Sequence, residues 1–86
     1  MAASRDFRKE QVRRDLGDEL YNEIHNLIVS YRCQPTFDVD IEKQMYIDIK
    51  ERVGYMKHLL SRVFILDGII FEELLAHNLE AMQSNR

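Results

Sequence analysis

Glycine, proline, cysteine and tryptophan are all scarce in this sequence: 86 residues hold three glycines, one proline, one cysteine and no tryptophan. So few breakers leave the chain few places to interrupt an element. The single cysteine, Cys33, excludes an internal disulfide and any Cys-x-x-Cys zinc pair. An unpaired thiol suits a reducing compartment, so an intracellular, cytoplasmic protein is expected. Long apolar runs are missing too. The most apolar stretch, Val63 to Ala76, is interrupted by Asp67, Gly68, Glu72 and Glu73, and no membrane span is expected. Met1-Ala2-Ala3-Ser4 leads straight into charged residues, so no secretory leader is expected.

Charge of one sign is also lacking. Twelve basic and 15 acidic residues give a formal charge of −3, a mixed surface rather than a basic field for nucleic acid. The distribution is uneven. Arg5, Arg8, Lys9, Arg13 and Arg14 make the start basic, whereas Asp67, Glu72, Glu73 and Glu80 make the end acidic. The two ends are expected to attract each other, within a chain or between chains.

What is present is helical periodicity. Val12, Leu16, Leu20, Ile24, Leu27, Ile28 and Tyr31 form one stripe at about 100° per residue. Gly17 could end a short helix, with Asp18 capping the next, but the stripe stays in phase across it. A single helix over about 4–31 is predicted, with Ser4 as its cap and a close-packing point at Gly17. The loop 32–38 contains Pro35, which disfavours helix at Gln34. Asp38 or Asp40 caps a second helix over about 39–66, whose stripe is Ile41, Met45, Ile49, Val53, Met56, Leu60 and Val63. Tyr46, Leu59 and Leu66 widen it.

Beyond Ser61 the chain is apolar all round, which marks a segment covered on more than one side. Asp67-Gly68 is a hairpin signal. Its flanks do not alternate, however, and Glu72-Glu73-Leu74-Leu75-Ala76 favours helix, so a helix over about 69–83 is predicted. Either the chain breaks at 67–68 into this third helix, or it continues straight and another subunit covers Ile70, Phe71, Leu74, Leu75, Leu79 and Met82. The fold class is all-α: a small antiparallel helical bundle, a long helical hairpin plus a third C-terminal helix, in one domain and completed by oligomerisation.

Motifs that carry chemistry are weak. Asp38-x-Asp40-x-Glu42 opens like a calcium loop, but the glycine and the bidentate glutamate that such a loop needs are replaced by Lys43 and Ile49. His25, His58 and His77 are not at mutual ligand spacing; Glu73 and His77, one turn apart, supply an incomplete set. Cys33 has no histidine near it in sequence. No catalytic residue, cofactor or metal is expected, and an enzyme is set aside. Val12 to Leu20, with Leu16-Gly17-Asp18-Glu19-Leu20 at its centre and Ile24 in phase, resembles the death-promoting helix captured by Bcl-type survival proteins. The resemblance implies helix-in-groove binding. It departs from that family at Arg13, where a leucine anchor belongs.

The expected function is a non-catalytic helical protein–protein interaction module: an adaptor, assembly subunit or small inhibitor. Its partner is another protein, and a homo-oligomer, with a dimer favoured, is expected. The expected interface comprises Val63, Phe64, Leu66, Ile69, Ile70, Phe71, Leu74 and Leu75. The alternative is a nucleic-acid-associated regulator contacting an anionic partner through Arg5, Arg8, Lys9, Arg13 and Arg14. A second alternative is a helical oligomer that binds a small ligand or metal between subunits.

Overall fold

The computed structural model describes the backbone at residues 2–54 and 56–84, and side chains at 7–54 and 56–78. Helices are the only regular elements among the described residues: α1 (Ala2–Leu16), α2 (Asp18–Arg32), α3 (Val39–Val53) and α4 (Lys57–Ser84). The all-α bundle is therefore present, but its helices are divided differently from the prediction.

The first division is at Gly17. Its φ of 87° and ψ of 152° lie where L side chains are strained, so the predicted helix over 4–31 becomes two. The bend costs little hydrogen bonding. Gly17 donates its N–H to the Arg13 carbonyl and accepts from the Tyr21 N–H, both at 2.8 Å, closing α1 and opening α2 with one residue. The segment resembling a Bcl-binding helix is thus broken at its middle, and Leu16 and Leu20 pack against the chain's own core.

The second division is at Gly54, which ends α3 in the left-handed conformation (φ 70°, ψ 25°) and donates to Lys50. At the other end of α3, Asp38 Oδ1 accepts from the Ile41 N–H at 2.9 Å, as a helix cap should. Asp40 and Glu42 near the start, with Lys50 and Arg52 near the end, match the helix dipole. Of the two alternatives at 67–68, a break or a straight continuation, the structure has the second: α4 runs through Asp67 and Gly68 without interruption. An uninterrupted α4 does not leave its apolar length wholly to another subunit, because α1, turned back at Gly17, lies along it.

The helices pack as α1 on α4, α2 on α3, and α2 against both α1 and α4; α3 touches α4 more lightly, and α1 and α3 do not meet among the described residues. Ion pairs give the directions. Arg8–Glu72, Lys9–Glu73 and Arg62–Asp15 run antiparallel along α1 and α4. The core is one cluster: Val12 from α1, Ile24 and Ile28 from α2, Met45, Ile49 and Val53 from α3, and Val63, Leu66 and Ile70 from α4. Met56, predicted on the second stripe, is exposed where the chain enters α4. The bundle is flat. Its Cα extents are 46 × 33 × 17 Å and its radius of gyration is 13.8 Å, against about 12 Å for a compact domain of this length. A flat bundle leaves a large share of α4 uncovered.

Candidate interaction face

Exposed large apolar side chains are spread over the described residues (Phe7, Val39, Ile47, Met56 and Ile65 among them), but three share one side of α4. Phe64, Phe71 and Leu75 are 50%, 51% and 49% exposed, on the side away from Val63, Leu66 and Ile70. Gly68 lies between them on the same face and is exposed. A Cβ built there would meet no atom within 4 Å.

These aromatic rings are held from behind. The Tyr46 ring meets Phe64 edge-on at 5.6 Å between centroids. The Arg32 guanidinium stands 5.2 Å from the ring centroids of both Phe71 and Phe37. Arg32 is fixed in turn by Asp67: its Nε donates to Oδ1 at 2.6 Å and its Nη2 to Oδ2 at 2.9 Å, a bidentate fork. The Tyr46 hydroxyl donates to the same Oδ2 at 3.0 Å. One carboxylate on α4 thereby joins α2 and α3, and its helical neighbours display Phe64 and Phe71 outward. The side chains of Arg32 and Asp67 are only 13% and 8% exposed, so neither charge would be stable alone.

The electrostatics follow from this burial. The hydrogen bond to Asp67 raises the Arg32 pKa further above its ordinary range, and the guanidinium stays charged. Burial, reinforced by the Asp67 charge, pushes the Tyr46 phenol up to about 12. Tyr31 is also raised, first by its hydrogen bond to Asp48.

The residues expected at an interface divide into three groups. Val63, Leu66, Ile69 and Ile70 are buried inside the chain itself, and therefore cannot also face a partner. Leu74 is half-buried against the core. Phe64, Phe71 and Leu75 remain open. Of the basic cluster, Arg8 reaches Glu72 at 3.4 Å and Lys9 reaches Glu73 at 3.0 Å. Arg13 pairs with Glu10 and approaches Asp18 at 3.7 Å. Arg14 is exposed, and the Arg5, Leu79 and Met82 side chains lie outside the described residues. The expected attraction between the basic start and acidic end is thus made within the chain, between α1 and α4.

Sequence reasoning missed Arg32, Phe37 and the partners of Asp67. One signal was available: an acid between two apolar runs is buried if the helix continues, and a buried acid needs a cation. His25 stacks beside Tyr21 with centroids 5.8 Å apart, and His58 and His77 are exposed. Among the described residues no three His, Cys, Asp or Glu side chains gather as a metal set, and no helix is long and apolar enough to cross a membrane. On the other flank of α4, Phe7, Val12 and Ile65 line a cleft of about 310 Å³, beside the Arg62–Asp15 ion pair. No family model, curated protein or solved structure matches the chain.

Proposed function

We propose that this chain is a non-catalytic protein–protein interaction module that docks through the outer face of α4. The observation that carries the reading is the half-exposed set of Phe64, Phe71 and Leu75, backed by the Arg32–Asp67–Tyr46 network. Exposed aromatic side chains are the usual anchors of protein interfaces. Anchors fixed before binding lose less conformational freedom when a partner arrives. In the basic helix, Arg8 and Lys9 already face acids of α4, which favours a structural use for those charges over contacts to phosphate.

The test is site-specific photo-crosslinking in the cells that make the protein. A photoreactive residue replacing Leu75 is expected to give protein adducts several-fold more abundant than one replacing the exposed Asn22 on α2. Equal labelling from both positions would remove the reason to single out α4.

A further inference from the structure

The outer face of α4 has an order that its exposure alone does not convey. Along it run Ser61, Phe64, Gly68, Phe71, Leu75 and Asn78, separated by alternating steps of three and four residues. That mean spacing of about 3.5 is the seam of knobs-into-holes packing. The sequence of steps reads the same in both directions. Laid antiparallel on a copy of itself, with a two-fold axis between Gly68 and Phe71, the seam meets itself position for position. Phe64 falls opposite Leu75, Phe71 opposite Gly68, and Ser61 opposite Asn78. We propose that the partner docking on α4 is a second copy of this chain, bound antiparallel, with Phe71 of each copy entering the hole left by Gly68 of the other. This rests on the reading of α4 as a docking face and adds the occupant.

Three observations favour a copy over an unrelated helix. Gly68 has no explanation within its own chain. Glycine weakens a helix interior relative to alanine, yet a Cβ would meet nothing within 4 Å; a large side chain from outside, such as Phe71, supplies the reason for the hole. The polar residues Ser61 and Asn78, both exposed, close the two ends of the apolar stretch and pair under the same axis, so no apolar end overhangs. An isologous contact of this kind closes on itself as a dimer and does not propagate. The area agrees as well. Three half-exposed side chains leave on the order of 300 Å² per copy, or about 600 Å² in the pair. That is roughly the apolar half of an interface of about 1,200 Å², the lower end for specific association. A weak, reversible dimer is the result.

Sedimentation equilibrium of the full chain over a concentration series tests this. The wild type is expected to show a monomer–dimer equilibrium. Gly68→Leu, whose Cβ meets nothing within 4 Å in its own chain, is expected to weaken the dimer at least about tenfold by filling the hole, with the melting temperature of the monomer kept or raised. Phe71→Glu should act likewise, and Gly68→Leu remains decisive if that variant folds poorly through loss of the Arg32 contact. Orientation is read in a Cys33→Ser background: under mild oxidation, chains carrying Ser61→Cys should bond to chains carrying Asn78→Cys, and neither should bond to itself. A wild type that stays monomeric at high concentration, a dimer indifferent to Gly68→Leu, or self-bonding through Ser61→Cys would each overturn the proposal. A monomer that still gives selective crosslinks from position 75 would overturn the second copy as occupant and leave the docking reading standing.

Discussion

The two long sides of α4 are built from similar residues and end in opposite situations. On the inner side Val63, Leu66 and Ile70 are fully buried, and Asp67 among them is neutralised by Arg32 and hydrogen-bonded by Tyr46. On the outer side Phe64, Phe71 and Leu75 are equally apolar and half open to water. Hydrophobicity along a helix therefore says how much surface seeks cover, and the paths of the other helices decide which part receives it. The inner side is closed by three helices that pack on α4; on the outer side α1 and α3 do not meet among the described residues.

That contrast can be broken most severely from the inner side. Asp67→Ala would leave the Arg32 charge buried without its partner, and a loss of about 3–5 kcal/mol in urea unfolding is expected. Replacing Arg32 and Asp67 together by leucine should recover much of that loss, because no lone charge then remains. Next in size comes a matched pair of truncations. Leu66→Ala is expected to cost about 3 kcal/mol through the cavity it opens, whereas Leu75→Ala, at the same concentration and well below any association, should stay within about 0.5 kcal/mol, as surface substitutions do. Equal losses would mean that the outer face is as structural as the inner.

The smallest effect concerns the hydroxyl behind Phe64. Tyr46→Phe removes one hydrogen bond to Asp67 and should cost about 1 kcal/mol near neutral pH. The Tyr46 pKa in the fold, about 12, lies above the ordinary 10. The folded state therefore holds its proton longer than the unfolded chain does, and the associated stability is intact below pH 10 and lost as pH rises toward 12. The wild type should lose stability across that window more steeply than Tyr46→Phe, with Tyr31 supplying a residual slope because its pKa is also raised. Parallel slopes for the two proteins would place the Tyr46 phenol outside the network.

Most of the core was readable from spacing. Val12, Ile24, Ile28, Met45, Ile49, Val53 and Val63 all lie on the stripes that the periodicity marks, and Asp38 caps the helix that it precedes. The helix end at Gly54 was not readable, and the one at Gly17 was visible but set aside, because periodicity reports where side chains point and both stripes stay in phase across these glycines. A positive φ at one residue turns the chain without disturbing that phase. At Asp67-Gly68 the sequence left a break and a continuous helix both open for the opposite reason: poor helix formers sit there, but tertiary contacts outweigh their propensity. The network behind the exposed rings joins Arg32 to Asp67 across 35 residues, a pairing that no local window displays. Gly68 was visible as a residue, yet its place on the exposed side of a continuous helix depended on knowing that the helix does not stop there.

The Arg32–Asp67 fork also bears on how many arrangements this small bundle can adopt. Apolar stripes of leucine, isoleucine and valine tolerate sliding, since one turn along the axis presents a similar surface. Sliding α4 by a turn against α2 would carry the Asp67 carboxylate about 5.4 Å from the guanidinium, stranding two largely buried charges and taking the acceptor from Tyr46. Apolar packing brings the helices together; the three polar side chains act as a key that admits one register, and in that register the outer residues of α4 stand where they do.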